Sequence, residues 1–516
     1  SMYLTREKIQ EYLASEPDKP LLLCEYCHAM GNGPGDLEDY FKLFASSDLL
    51  CGDFVWEWCD HAIYKGQADN GKAMYYYGGD HGEYLHDGNF CMDGLVYPDR
   101  RPHTGLLEYK NVHRPARVVA FSQATGQITL RNELDFTILG EYLSVQYQIT
   151  CDGQIISNGR ISELPAILPH QTGILSIPIH IPSKGRCFLK LCYLTAYASA
   201  TVPAGYFLGF DEIPLVNAEP RYQLSVAVPA YPEPLTVSES SRYLTVSGNS
   251  FTYTLDRSTG LWSSLLLQGR EFLTHPMELN IWRAPTDNDR NIKATWYRAQ
   301  LNRAYARAYA IACEEAADHV RIVCKMGIVA ASVQRIASVQ LSWTVFETGI
   351  IMADLHVVQN PDFPSLPRFG FRMFLPKEMQ RVSYFGMGPM ESYVDKHRAA
   401  SHALYECSVS ALHEDYLRPQ ENGSHWDCSF VEISNGANAL TVSADKPFSF
   451  NASQYTQEEL TEKTHNFELM PCDGTVLCID YAQAGIGSNS CGPALLSQYQ
   501  VPKQPFDFSV TFTPHA

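Results

Sequence analysis

Glu25 is the residue in this sequence best placed to do chemistry. It follows the apolar run Pro20-Leu21-Leu22-Leu23 and Cys24 and stands just before a loop. The end of a parallel strand is where α/β barrels carry catalytic side chains. A carboxylate there, with Tyr26 and His28 close by, can act as nucleophile, acid or base. The same placement also suits a strand-end Glu held in a structural ion pair. Gly31, Gly33 and Gly35 would let backbone pack close beneath it. Cys24-Glu25-Tyr26-Cys27-His28 also fits C-x-x-C-H, the pattern of covalent haem attachment. No second haem motif follows, and a buried strand precedes it, so this reads as a chance match. A zinc site from Cys24, Cys27 and His28 lacks a second ligand pair at finger-like spacing. The segment Gly52-Asp53-Phe54-Val55-Trp56-Glu57-Trp58 ends in paired aromatics. Strand alternation puts Trp56 and Trp58 on one side, with Val55 and Glu57 on the other. Rings beside carboxylates suit the apolar face of a sugar, and they equally suit a core. The polar stretch from Asp80 to Gly94 reads either as a ligand-facing loop or as a solvated one. Phosphate-cradling glycine motifs, a Ser-His-Asp elbow and H-E-x-x-H are absent from the sequence.

The elements that must hold these residues change character along the chain. Thr5 to Leu13 is helix-like, with Thr5 as N-cap and Ile9, Tyr12 and Leu13 on one face. Pro20 to Cys24 reads as a strand, Asp36 to Phe44 as an amphipathic helix and Gly52 to Trp58 as a second strand. A long Gly- and Tyr-rich loop follows, through Asp93. This alternation is that of a parallel α/β unit. After Pro115, short alternating stretches such as Gln127–Leu130 and Tyr142–Tyr147, with turns such as Asp152-Gly153, have the rhythm of a β-sandwich. A proline-dense linker, Val228-Pro229-Ala230-Tyr231-Pro232-Glu233-Pro234, is followed by an all-β region too large for one simple sandwich.

The segment Leu22-Leu23-Cys24-Glu25-Tyr26-Cys27-His28-Ala29-Met30-Gly31-Asn32 strongly resembles the nucleophile segment of bacterial β-galactosidases of glycoside hydrolase family 2. Further segments agree in the family's order, among them Asp53–Trp58, Phe90–Val96, Asp99–His103, Arg283–Asp289, Gly386–Pro389, Arg418–Gly423 and Gly485–Gly487. The resemblance implies a multidomain, mainly β chain. Residues 1–115 would be the C-terminal part of a (β/α)8 catalytic barrel, and 116–222 an immunoglobulin-like β-sandwich. Residues 235–516 would form a galactose-mutarotase-like β-supersandwich of the β-galactosidase small-chain type. It implies Glu25 as the nucleophile of a retaining glycosidase that releases terminal β-D-galactose from lactose and other β-galactosides. Tyr3 would be the active-site tyrosine, and His28 would bind galactose hydroxyls and stabilise the transition state. Trp56 would wall the galactose pocket and Met30 would line it. The Phe90 carbonyl and Asp93 would bind a sodium ion beside the sugar, Asp93 replacing the family's asparagine. The family's tryptophan platform for the leaving sugar has no counterpart in the matching stretch, Leu440–Asp445.

A retaining glycosidase needs a second carboxyl group about 5–5.5 Å from the first. The family's acid/base segment and its Mg2+ ligands belong upstream and find no match here. Glu57 or Asp80 could substitute in principle, without support from the resemblance. A (β/α)8 barrel takes about 250 residues. The expectation is therefore a C-terminal portion of the enzyme, inactive alone, with the missing N-terminal part of the barrel as partner and a homo-oligomer as its assembly. The reading from a different class is a non-catalytic carbohydrate-binding or assembly module. Sugar binding that survives loss of Glu25, His28 and Trp56 would favour it.

Composition agrees with several ordinary globular cores. The 516 residues are 45% hydrophobic and 19% charged, and the formal charge is −18. That acidity, without a basic patch, argues against nucleic acid and anionic membranes as partners. No apolar run is long enough to span a bilayer. Fifteen cysteines spread through a large chain are expected to be reduced thiols, in a cytoplasmic protein.

Overall fold

The computed structural model describes residues 1–161, 163–224 and 234–515. The proline-dense linker therefore lies outside the described residues, except for Pro234. The chain divides into two compact units, one of Ser1–Gly105, Val226–His397 and Tyr405–Ala516, the other of Leu106–Ser225 and Arg398–Leu404.

The first unit opens with helix α1 (Arg6–Ala14), where the Thr5 side chain accepts from the Lys8 N–H at 3.3 Å and Ile9 is fully buried. Strand β1 (Leu21–Tyr26) follows, then α2 (Leu37–Phe44), whose buried face is Leu37, Tyr40 and Leu43, then β2 (Leu50–Val55). β1 and β2 are parallel, pairing Leu23 with Asp53 and Tyr26 with Val55. On the other edge of β1, Met2 bridges Glu25 in parallel and the Tyr3 N–H donates to the Glu25 carbonyl at 2.9 Å. The parallel order continues where Cys59 bridges Val96. A buried Asp60–His103 pair at 2.9 Å braces this last segment, and Asp60 Oδ1 also accepts from the Gly94 N–H. Helix α3 (Thr104–Val112) comes next in the chain. Alternation of strand and helix is thus that of a (β/α)8 segment.

Three expectations need correction here. Glu25 lies inside β1 as its penultimate residue, not after the strand. The second strand ends at Val55, three residues short of Trp58. Beyond it the Trp56 carbonyl accepts from the Ala29 N–H, the Glu57 N–H donates to the Asp93 carbonyl, and the Trp56–Glu57 peptide is cis. Simple alternation therefore does not assign sides to Trp56 and Trp58. The long loop after Trp58 contains a hairpin, β3 (Ile63–Gln67) with β4 (Ala73–Tyr76), in which Tyr64 lies opposite Tyr75. Short aromatic strands separated by Asp69-Asn70-Gly71 give only a weak periodic signal.

The rest of this unit is a supersandwich. Among the described residues a five-stranded antiparallel sheet runs from Thr236–Glu239 to Arg270–Glu271, beside a twelve-stranded sheet that ends with Phe506–His515. The patterns that form it are plain in the sequence. Phe251-Thr252-Tyr253-Thr254-Leu255-Asp256 alternates buried and half-buried residues strictly. Trp262 and Trp343 meet edge to face at 5.4 Å in the middle of the core, and Trp343 Nε1 donates to the Gly260 carbonyl at 2.9 Å.

The second unit contains a three-stranded and a four-stranded antiparallel sheet, with Leu130, Val145, Ile149, Leu189 and Leu191 fully buried in its core. Its size and layering are those of a β-sandwich. All fifteen cysteines are free thiols.

Candidate active site

The glycine loop after β1 is locked against four loops of the supersandwich. A Cβ on Gly35 would meet the Gly487 nitrogen at 2.5 Å and Asp395 Oδ2 at 2.3 Å, and one on Gly31 would meet Gln420 and Asp287 at 2.4–2.6 Å. Close approach is therefore required as expected, but against the supersandwich rather than beneath Glu25. Asn32, fully buried in this loop, donates to Tyr393 Oη and to the Glu421 carbonyl, each at 2.9 Å, and accepts from Lys396 Nζ at 2.8 Å. Arg283, also fully buried, grips Asp289 with two hydrogen bonds and donates to the Ala484 and Gly485 carbonyls. Two supersandwich loops, Arg283–Asp289 and Gly485–Gly487, are thereby held as one support.

On this support sits His28, 1% exposed. Its Nδ1 is 2.8 Å from Ser490 Oγ, and its Nε2 is 3.4 Å from Asp93 Oδ2. Ser490 donates its own proton to Asn288 Oδ1 at 2.9 Å, and the Asn288 amide donates in turn to the Asn32 carbonyl. The imidazole stacks on Phe90 at 5.3 Å and takes Tyr3 at its edge at 5.9 Å. Arg290 lies over the other reach of Phe90, 4.6 Å from its centroid. Asp93 Oδ2 also accepts from Trp56 Nε1 at 3.3 Å, while Oδ1 is buried without a hydrogen-bond partner.

Tyr3 is held at φ +50°, and its hydroxyl is buried beside the Glu25 carboxylate and the Cys491 thiol. Burial pushes its phenol well above the usual range, and the neighbouring Glu25 carboxylate and Cys491 thiol push it the same way. The Cys491 thiol is raised by burial and by Glu25, against the lowering effect of Tyr3 and Arg290. Glu57 is raised as well, first by burial and then by Asp93. Asp80, by contrast, is tied to His465 at 2.8 Å and to the Tyr77 N–H, which makes it a brace for the loop.

Of the residues singled out in the sequence, Tyr3, Glu25, His28, Trp56, Phe90 and Asp93 come together. Trp56 and Trp58 are 41% and 61% exposed, so neither is a core residue. Met30 is buried, its carbonyl taking the Asn288 amide at 3.5 Å. The stretch from Asp80 divides: residues 81–87 are exposed, whereas 92–97 are buried around Asp93. Leu440–Asp445 lies within the strand Ala439–Ser453, with Leu440 and Val442 fully buried, and the supersandwich segment that reaches the site is Ser490–Cys491 instead. Ser490, Cys491, Asn288 and Arg290 escaped the sequence reading. Their only signal was the neighbouring Gly485-Ile486-Gly487 and Arg283–Asp289 motifs. Among the described residues no three His, Cys, Asp or Glu side chains converge as a metal cluster.

A parallel α/β segment carrying a carboxylate at a strand end is joined to a β-supersandwich, and comparison with known proteins gives this arrangement a family. Residues 247–512 match the family described as "Beta galactosidase small chain", residues 1–118 "Glycosyl hydrolases family 2, TIM barrel domain" and residues 128–216 "Beta-galactosidase, domain 4". The chain belongs to the β-galactosidase small-chain family. It is 43% identical over 511 residues to a β-galactosidase of Actinobacillus pleuropneumoniae, covering 98% of this chain and 49% of that one. It is 38% identical over 513 residues to a β-galactosidase of Staphylococcus xylosus, covering 98% and 51%. The chain thus spans about half the length of these relatives. A solved galactose 1-epimerase of Lactobacillus acidophilus covers 55% of the chain and 99% of its own at 9% identity, with a TM-score of 0.31, too slight a likeness to carry an argument.

Proposed function

We propose that this chain supplies the nucleophile half of a retaining β-galactosidase that cleaves lactose and related β-galactosides. The observation that carries the reading is the meeting of Glu25, Tyr3 and the doubly held His28 at the end of β1. In this reading Glu25 attacks the anomeric carbon and forms the galactosyl-enzyme. Tyr3, kept protonated by burial and by Glu25, donates a hydrogen bond to the Glu25 carboxylate. His28, held at Nδ1 by Ser490 and at Nε2 by Asp93, sits where it would meet sugar hydroxyls. Trp56 gives the half-exposed apolar wall. The acid that protonates the leaving oxygen comes from the upstream half of the barrel, as does the family's Mg2+ site.

The unpaired Asp93 Oδ1 fits a monovalent cation, with the Phe90 carbonyl as a second oxygen ligand. Bound there, Na+ would supply a positive charge to orient a sugar hydroxyl. A reducing, cytoplasmic setting accords with fifteen free thiols. Assembly as a homo-oligomer follows the family resemblance.

The exposed apolar residues Met2, Leu22, Phe54 and Trp56 along β1 and β2 are where the upstream half would pack. The expected result with an aryl β-galactoside is no turnover by the chain alone and turnover once the upstream half is added. Glu25→Gln should then cost about 10³-fold or more in kcat. Robust hydrolysis by the isolated chain would point to Glu57 as a local acid and overturn the two-part reading. Retained activity in Glu25→Gln would remove Glu25 as nucleophile.

A further inference from the structure

A second cleft, of about 310 Å3, opens in the supersandwich and shares no residue with the Glu25 site. Four aromatic residues line it, Trp426, Phe448, Tyr481 and Tyr499, together with Asp427 and Gln483. The walls are well fixed. Tyr481 stacks on Phe506 at 4.1 Å, Trp426 packs on His397 at 4.5 Å, and Tyr499 Oη donates to Asp39 Oδ2 at 2.6 Å. Asp427 sits at φ +56° where the pairing of Ser424–Ser434 with Ala439–Ser453 breaks register between His425 and Cys428. Such a bulge turns side chains away from the regular faces of a sheet.

Gln483 is the anomaly of this cleft. It is 7% exposed, and both Oε1 and Nε2 are buried with no hydrogen-bond partner in the protein. An unpaired buried amide loses its hydration without a replacement, so a side chain of this kind is a liability in a purely structural role. A turn of its side chain toward the cleft would present one donor and one acceptor side by side.

We propose that this cleft binds a neutral saccharide unit. Its volume is at the lower end of small-molecule sites, which run from about 300 Å3 upward, and suits one or two sugar rings. Among the described residues that line it, none is Lys, Arg or His. Adjacent hydroxyls of a sugar each donate and accept, matching the amide of Gln483 and the carboxylate of Asp427. The aromatic walls offer surface for the C–H face. A quaternary ammonium ion would use the rings and Asp427 but leave Gln483 unpaired, so it is the poorer occupant.

Saturation-transfer NMR on the full chain carrying Glu25→Gln, with D-galactose, D-glucose and lactose as probes and choline as the counter-probe, tests this. At least one sugar should bind, and the binding should persist when His28→Ala is added, which separates it from the Glu25 site. Trp426→Ala and Gln483→Leu should each weaken it by at least about tenfold. Gln483→Leu should leave the melting temperature equal or higher, because it removes two unpaired polar atoms of similar bulk. Binding of choline but of no sugar at millimolar concentration overturns the proposal. So does sugar binding unaffected by Gln483→Leu, or a fall in melting temperature that marks Gln483 as structural.

Discussion

His28 owes its orientation to a serine that local sequence patterns could not have paired with it. Ser490 gives its proton to Asn288, so the oxygen facing His28 is left as an acceptor, which favours a proton on Nδ1, while Nε2 faces Asp93. Ser490→Ala in the enzyme reconstituted with its upstream half should lower kcat/KM by about fivefold to tenfold, the worth of one buried hydrogen bond. Unchanged kinetics would show that Phe90 and Asp93 suffice to hold the ring. Glu25, His28, Trp56 and Asp93 were legible because they sit in motifs at a strand end or in the following loops. Ser490 and Asn288 were not, since each is chosen by contact with another part of the chain and leaves no periodic trace.

At the scale of elements, helix α2 begins in a costly place. Asp36 at its N-terminus is buried near Asp395, and burial first, then that second carboxylate, push its carboxyl up from the usual 3.8 to about 6. In the window between those values the folded chain holds a proton that the unfolded chain releases, so stability falls as pH rises from about 4 to about 6 and levels above. Asp36→Asn removes the charge and keeps the shape. It should match the parent chain near pH 4 and exceed it above pH 7, by up to about 3 kcal/mol at 1.4 kcal/mol per unit. Urea melts at the two pH values check this, and equal stability at both would show Asp36 to be ionised at little cost. Helices α1 and α2 and the two parallel strands were readable from apolar spacing and the Thr5 cap, whereas α3 was not read. The hairpin Ile63–Tyr76 was not, because its strands are short and largely exposed and carry no buried face to reveal a period. The tight fit of Gly35 against Gly487 was foreseen as a need for glycine but assigned to the wrong neighbour.

For the whole molecule, the apolar face of β1 and β2 is the feature to watch. If the upstream half of the barrel covers it, amide hydrogen exchange in Leu21–Tyr26 and Leu50–Val55 should slow by at least about tenfold on mixing the two parts. Exchange in the central supersandwich strand Ala337–Phe346 should stay as it was. Activity restored without that slowing would place the contact elsewhere. The bond between His28 and Ser490 spans 462 positions of sequence. At about 5–20 residues per second, a ribosome takes tens of seconds to travel that far. Throughout that interval the histidine has emerged but lacks its partner, so a chain halted before Ser490 carries every motif around Glu25 and still presents an unfinished imidazole. The loop that closes on His28 is thus made long after the strand and loop that carry the ring.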